Sequence, residues 1–442
     1  MNVPHRVSRR EFLRLAGMTG GVTLLAACVP AGIQAPASGP AAAAPPKLSL
    51  SDPKEVGKAL EAEGAEVSIS SWGWSGLAQT HFIPKFAEHT KKLYGVAVKL
   101  NWIGGVFDKA LAELPVAGKT IKDIGLDVVD KEEESFDAAM ALNWYEPMDM
   151  DVYKPLFTNL SDVEEPYIFK GAEENGGVVY GAVYQGYEWL QAVLRKDKLD
   201  VSKFKDWTDL ADPDLRGKMV DYAFNDQRGH YVFGGFVNEL VNKGIVPGPL
   251  WSQEAWEGAL KWWKDNSMEQ QIHKWGDIGN DPAIRLMLQS GEVLAGCTWG
   301  VYTRELLGTD WNQRDDVLAP FYPKSGILVD RETMSAVRGA AHPVAARILI
   351  NWMLSTEVNT AGWYKETPDA KEAVNHWNVT EAQFLVAYCG GVRAETRKLI
   401  PDWAKAYHPA DPASLSIKVD WPWHNKNAEW ISKSYEKIVL GK

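Results

Sequence analysis

The chain has 442 residues, with 58 Asp and Glu against 47 Lys and Arg, a formal charge of −11. That balance argues against nucleic acid or an anionic surface as partner, because both need clustered Lys and Arg. Three cysteines exclude a disulfide framework, and beyond the N-terminal region no apolar run reaches the ~20 residues that span a bilayer.

In chain order, the first feature is "SRREFLRLAGMTGGVTLLAACVP", from Ser8 to Pro30. Arg6, Arg9, Arg10 and Arg14 outweigh Glu11, and the apolar run Leu15 to Ala27 is short and broken by Gly17, Gly20 and Gly21. A positive start, a short apolar run and small residues before a cut mark an export signal. Arg9-Arg10, between Ser8 and Phe12-Leu13, resembles a twin-arginine signal. Leu25-Ala26-Ala27-Cys28 resembles a bacterial lipobox. The resemblance implies a signal peptide over residues 1–27 and a lipidated Cys28 that anchors the chain to a membrane outside the cytoplasm, in a periplasm or on the outer face of the cytoplasmic membrane. Removing 1–27 takes away four arginines and one glutamate, a net +3, and moves the charge from −11 to −14.

Residues 28–63 carry Cys28 and a Pro/Ala-rich tether, "VPAGIQAPASGPAAAAPPK", which has little to bury. A charged helical segment follows near Asp52 to Glu63. The fold proper starts at "EVSISSWGW", where alternation from Val67 through Ile69 predicts a strand. Phe82, Ile83, Phe86 and Leu93 share a helical face, and "GVAVKLNWI" reads as the next strand. Strand, helix and strand around Gly95 make a βαβ unit, hence a sheet that is parallel at this end. "IGLDVVD" is a third strand, and "GGVVYGAVYQGYEWLQAVLRKDKL" a β-rich pair. "KFKDWTDLADPDLRGKMVDYAF" reads as a short helix, a proline turn and a strand. Helical spacing from Trp251 to Trp263 and from Pro282 to Gln289 precedes the strand "EVLAGCTW". Pro343 opens a helix whose Val344, Ile348, Leu349, Trp352 and Met353 form one apolar face. Cys297 and Cys389 suffice for one bridge, although Cys297, inside "VLAGCTW", reads as a buried thiol. Most of the twenty tryptophans suit core and lobe packing, and a few suit stacking walls.

The order of motifs then becomes informative. "WTDLADPDLRGKMV", Trp207 to Val220, resembles the W-x-D-L-x-x-P-x-x-x-G-K pattern of extracellular solute-binding proteins of bacterial ABC importers. "YGAVYQGYEWLQAVLRKDKL", "LMLQSGEVLAGCTWG", "LAPFYPKSGILVDRETMSAV" and "AAHPVAARILINWMLSTEVNTAGW" follow in that family's order, so the resemblance spans roughly residues 66 to 365. It implies an α/β, two-lobed, type II periplasmic-binding-protein fold, each lobe a mixed, mainly parallel sheet flanked by helices, with hinge crossovers between the lobes and a solute held between them. Lobe 1 is then expected over 64–183 and 301–375, lobe 2 over 184–300, and C-terminal helices that brace both over 376–442. The implied partners are a small solute and the transmembrane subunits of an ABC permease, with the chain itself a monomer.

No enzyme signature competes. There is no His-Glu-x-x-His, G-x-S-x-G, Walker A loop or G-x-G-x-x-G, so no catalytic residue, cofactor or resident metal is expected. His81 and His89 are eight apart on a helix and read as solvated. "DKEEESFD", Asp130 to Asp137, reads as a solvated, acidic helix start.

Within the family the details resemble the polyamine-binding branch. "SSWGWSG" supplies Trp72 and Trp74 after the first strand, and Trp299 in "CTWG" stands where that branch stacks a tryptophan on its ligand. Asp330 in "YPKSGILVD" matches its ammonium-facing aspartate, and Asp226 in "FNDQR" stands where a second acidic group is expected. Tyr184 and Glu188 lie on the expected crossover and complete the site. Leu328 departs from the branch, which has a tryptophan there, and Arg228 leaves an anionic solute open. Carboxylates and aromatic faces together suit a polyamine or related organic cation. A sugar stacked on the same aromatics, an anion or a metal ion are the alternative solutes, and a sensory receptor or an extracytoplasmic enzyme the alternative roles.

Overall fold

The computed structural model describes residues 51–71, 78–148, 188–224, 226–273, 281–299, 317–359 and 412–442, with short pieces at 156, 158–160, 163, 168–170, 179–183, 363–364 and 373–374. Helix α1 (Pro53–Ala62) is capped by Asp52, whose carboxylate accepts from Lys54 N. Strand β1 (Glu66–Ser71), helix α2 (Ile83–Tyr94) and strand β2 (Lys99–Gly104) form the βαβ unit, with β1 and β2 parallel and Ile69 beside Trp102. Gly95 closes α2 at φ +78°, a left-handed turn that a Cβ disfavours.

Helix α3 (Phe107–Glu113), strand β3 (Val128–Glu132), a 3-10 turn at Glu133–Ser135 and helix α4 (Phe136–Ala141) follow. Strands β4 (Ile168–Lys170), β5 (Val179–Val183), β6 (Glu188–Arg195) and β7 (Met219–Val220) lead to helices α5 (Gln227–Asn242), α6 (Gln253–Asp265) and α7 (Asp281–Ser290). Next come β8 (Ala295–Trp299), β9 (Leu318–Phe321), β10 (Ile327–Asp330), β11 (Glu332–Ala336) and α8 (Pro343–Met353). A small hairpin of β12 (Trp363–Tyr364) and β13 (Ala373–Val374), then β14 (Ser416–Lys418) and α9 (Trp421–Tyr435), complete the order.

The strands form two large mixed sheets. In each, antiparallel pairs outnumber parallel ones, against the mainly parallel expectation, because the crossing strands β5, β6 and β11 pair antiparallel with their neighbours. The first has the order β2-β1-β3-β11-β5-β4, the second β14-β10-β6-β8-β7 with β9 beside β6. Among the described strands the chain changes sheets three times, from β5 to β6, from β10 to β11, and after β11 to reach β14. At the second crossing Arg331 alone separates the two strands. Two α/β lobes joined by crossing strands result. Strands β9 and β10, placed by the sequence reading in the first lobe's 301–375 return, instead hydrogen-bond to β6 in the second sheet. The sheet change therefore falls at Arg331, where β10 runs out of second-sheet partners and β11 meets β3. From the C-terminal segment, β14 extends the second sheet beside β10, and Asn425 of α9 reaches lobe 1 by donating to Glu134 O at 3.2 Å.

Tryptophans fill the core as expected: Trp207, Trp256, Trp263 and Trp352 are fully buried. Trp207 donates its indole N–H to Gly326 O at 2.8 Å and packs on Phe236 and Phe321. Val344, Ile348, Leu349, Trp352 and Met353 of α8 are all buried, and Cys297 is a buried free thiol; Cys389 lies outside the described residues. His89 is partly buried against the Trp352 ring rather than solvated. Helix α5 has no counterpart in the sequence reading.

A buried histidine pair joins α5 to α9. His230 Nε2 donates to Phe224 O at 2.9 Å, so its Nδ1 accepts from His424 Nε2 at 3.1 Å and both rings are neutral. Burial, reinforced at His230 by its neighbour, pushes His230 down to about 3 and His424 down to about 4. Between these values and the ordinary 6.5 the unfolded chain binds more protons than the folded one. This contribution to stability is therefore complete above about pH 6.5 and is lost as the pH falls toward 4. The melting temperature should drop over that interval, and His424→Asn should make the drop shallower; an unchanged slope would place the acid sensitivity elsewhere.

Candidate functional site

Strands β1 and β3 run parallel, so their carboxyl ends open on the same edge of lobe 1, the edge where α/β sheets bind ligands. Ser71 ends β1 and donates its hydroxyl to Asp130 Oδ2 of β3 at 2.5 Å. The run from Asp130 to Glu134 is not a solvated helix start. Asp130, Lys131 and Glu133 are buried, because β11 covers β3 and Arg331 of the crossover binds Glu133 with Nε to Oε2 at 2.7 Å. Lys131 is ringed by Asp108 at 3.2 Å, by Glu132 and by Glu134 at 3.9 Å. Burial works against its charge, but those carboxylates more than offset it and raise its pKa.

Lobe 2 presents the first turns of α5. Gln227, the first residue of the helix, donates its amide nitrogen to Glu134 Oε2 of lobe 1 and to the Tyr231 hydroxyl one turn on, at 2.6 Å. Tyr231 donates in turn to Asp330 Oδ2 at 3.3 Å, and Asp330 Oδ1 accepts from Arg331 N at 2.9 Å. A hydrogen-bonded chain thus links lobe 1 through α5 to the crossover, with Gln227 donating in both directions and Asp330 accepting at its end. The Trp299 ring, partly exposed at the end of β8, stands edge-on to Tyr231 at 6.1 Å, and Trp421 of α9 backs Tyr231 at 5.6 Å.

The electrostatics follow from this crowding. Burial, with Glu132 and Asp108 nearby, pushes Glu134 up to about 7 despite Lys131 and the Gln227 bond. Burial, then the Asp330 charge, pushes the Tyr231 hydroxyl well above its ordinary range, so it stays a neutral donor. Asp108, Asp130, Glu132, Glu134 and Asp330 outnumber the nearby cations, since Arg331 is spent on Glu133.

Of the residues expected at the site, Asp330 and Trp299 meet around Tyr231. Asp226 does not join them. It is the N-cap of α5, accepting from Arg228 N at 3.0 Å, and it holds the Arg228 guanidinium at 2.9 and 2.7 Å. Burial opposes its charge, but those bonds hold it below its usual range; its charge is already neutralised. Arg228 also lies over the Tyr222 ring, 4.5 Å from the centroid. Glu188 pairs with Asp330 in the β6–β10 ladder, and only its backbone is described. Trp72, Trp74, Tyr184 and the lipidation residue Cys28 lie outside the described residues. Sequence reasoning missed Glu134, Gln227 and Tyr231. The signal that was available is the 227, 231, 234, 238 spacing, one stripe of a helix. Among the described residues no His, Cys, Asp and Glu group could hold a metal ion, and no helix is long and apolar enough to cross a membrane.

Two α/β lobes joined by crossing strands, with polar and aromatic groups where they cross, are the architecture of a solute-binding protein. The chain belongs to the bacterial extracellular solute-binding proteins, whose family model matches residues 83–376. That family binds solutes outside the cytoplasm. Solved structures share the type II fold. An ABC transporter protein of Clostridium perfringens is 17% identical with a TM-score of 0.55, over 84% of this chain and 99% of its own. The spermidine/putrescine substrate-binding protein PotD of Streptococcus pneumoniae is 14% identical with a TM-score of 0.56, over 84% and 99%. A Bordetella ferric binding protein is 15% identical with a TM-score of 0.53, over 84% and 98%. No curated protein matches the sequence.

Proposed function

We propose that the chain is the solute-binding lipoprotein of an ABC importer and captures a small organic cation of the polyamine class. Cys28 holds it at the membrane, the Pro/Ala-rich segment ahead of α1 lifts it from the surface, and the closed lobes deliver the solute to the permease. Residues 53–62, expected within the tether, instead form α1, whose Val56, Ala59 and Leu60 are buried in the core. Neighbours at this identity range from a polyamine receptor to an iron binder, so the fold does not choose the solute. The side chains do. The observation that carries the reading is the Asp330–Tyr231–Gln227–Glu134 chain beside Trp299, which sets carboxylates of both lobes around an aromatic wall. An ammonium group leaving water needs compensating carboxylates, and its methylene stem suits an indole face.

Leu328, where the polyamine branch has a tryptophan, is buried against α5, and a Cβ on Gly234 would lie 2.6 Å from its Cδ2. Stacking is therefore left to Trp299, with Trp72 and Trp74 as further proposed walls and Tyr184 and Glu188 as proposed polar contacts. A sugar is the second reading, supported by the partly exposed Trp299 ring.

A thermal-shift panel of putrescine, spermidine, maltose, citrate and ferric ion separates these. A solute at 100 times its Kd adds about 2.7 kcal/mol of stability. The reading fails if maltose raises the melting temperature and both amines leave it unchanged. Amine affinity should also rise between pH 6 and pH 8. An ammonium favours ionised Glu134, whose pKa is pushed up to about 7, so binding below that pH must expel its proton. Glu134→Gln should flatten the pH profile in calorimetric titrations; a slope equal to that of the native chain would assign the proton to another group.

A further inference from the structure

The nitrogen at the centre of the interlobe chain belongs to the protein itself. Gln227 Nε2 has Glu134 Oε2 on one side and the Tyr231 hydroxyl oxygen, 2.6 Å away, on the other. Tyr231 spends its own proton on Asp330, so toward Gln227 it is purely an acceptor. Two acceptors from two lobes thus converge on one donor, with Asp330 behind one and Glu132 and Asp108 behind the other. Lys131, 3.9 Å from Glu134 Oε1, is the facing cation and is shared with Asp108 and Glu132. An amide brings two N–H donors and no charge to this place. A primary ammonium brings three donors and a full positive charge, and charge-assisted bonds are about twice as strong as neutral ones.

We propose that the Gln227 side chain is a built-in stand-in for the solute's ammonium group, occupying its subsite until the solute displaces it. The inference rests on the cation reading above and adds the subsite, its occupant and a selection rule. Gln227 sits at the first position of α5 and is only partly buried, so its side chain can turn out without disturbing the helix. Entering solute inherits the Glu134 and Tyr231 acceptors and keeps the lobes joined, now by a stronger bond. Because the acceptors need N–H donors, the subsite takes primary amines and discriminates against quaternary ones, which have none.

Calorimetric titration of the full chain with putrescine, spermidine and choline tests this. Gln227→Ala removes the competitor at a position where alanine suits a helix, and should tighten putrescine binding by about tenfold. Choline should bind more weakly than putrescine to both. Gln227→Lys plants an ammonium permanently in the subsite and should abolish putrescine binding. Melting temperatures close to the native one verify that both variants fold. If the native chain binds putrescine and Gln227→Ala binds it equally or more weakly, or Gln227→Lys binds it undiminished, the stand-in is overturned while the cation reading survives. If neither the native chain nor Gln227→Ala binds any amine, both are overturned. Binding of putrescine by Gln227→Ala alone supports the stand-in.

Discussion

Asp330→Ala should lower solute affinity by about two to three orders of magnitude while leaving the protein folded. Asp330 is 3% exposed at the last position of β10, one residue before the chain changes sheets. Its carboxylate orients the Tyr231 hydroxyl and accepts from Arg331 N. Alanine removes the counter-charge for a bound cation and leaves the buried Tyr231 hydroxyl without its acceptor. Losing one member of a buried charge pair costs about 3–5 kcal/mol, and each 1.4 kcal/mol is about tenfold in Kd. Asp330→Asn keeps the shape and the Tyr231 bond and should fall between. Trp299→Ala, at the partly exposed end of β8, should weaken binding with little change in melting temperature. Titration of Trp fluorescence or heat checks all three; a Kd for Asp330→Ala within threefold of native would remove Asp330 from the site.

Trp207→Ala should destabilise the second lobe by about 3–5 kcal/mol, the cost of emptying a large aromatic site. Trp207 has no exposed surface, packs on Phe236 and Phe321, and its indole N–H is bonded to Gly326 O. Trp207→Phe loses chiefly that bond and should cost less. Gly235→Ala probes the same contact from the other side, since its Cβ would lie 2.4 Å from Trp207 Nε1. Denaturant midpoints measure these effects. A Trp207→Ala midpoint equal to the native one would contradict the packing described here.

Local pattern carried much of the fold. The β1–α2–β2 unit was legible because its strands and helix follow one another with matching periodicity and Gly95 as punctuation. Trp207 and the Pro343 helix were legible for the same reason, as their neighbours in sequence announce them. Helix α5 was hidden by Gly229, Gly234 and Gly235, residues of low helix propensity. Each is demanded by a distant or cross-turn approach: a Cβ would meet Ala223 O at 2.5 Å, Leu328 Cδ2 at 2.6 Å and Trp207 Nε1 at 2.4 Å. With the helix unseen, Gln227 and Tyr231 had no face to share.

Pattern and composition alone specify an α/β chain with the motif order of solute-binding proteins, an acidic balance, and Asp330 and Trp299 as candidates. How the charges pair depends on contacts between residues far apart in the chain. Asp226 is consumed by Arg228 two residues away, while Glu133 meets Arg331 across 198 residues and Gln227 meets Glu134 across 93. The acidic run from Asp130 to Glu134 reads as solvated in sequence because nothing near it in the chain competes with water. The crossing strands bring β11, Arg331 and α5 over it, strip that water, and turn a charged surface into a largely buried, hydrogen-bonded interior.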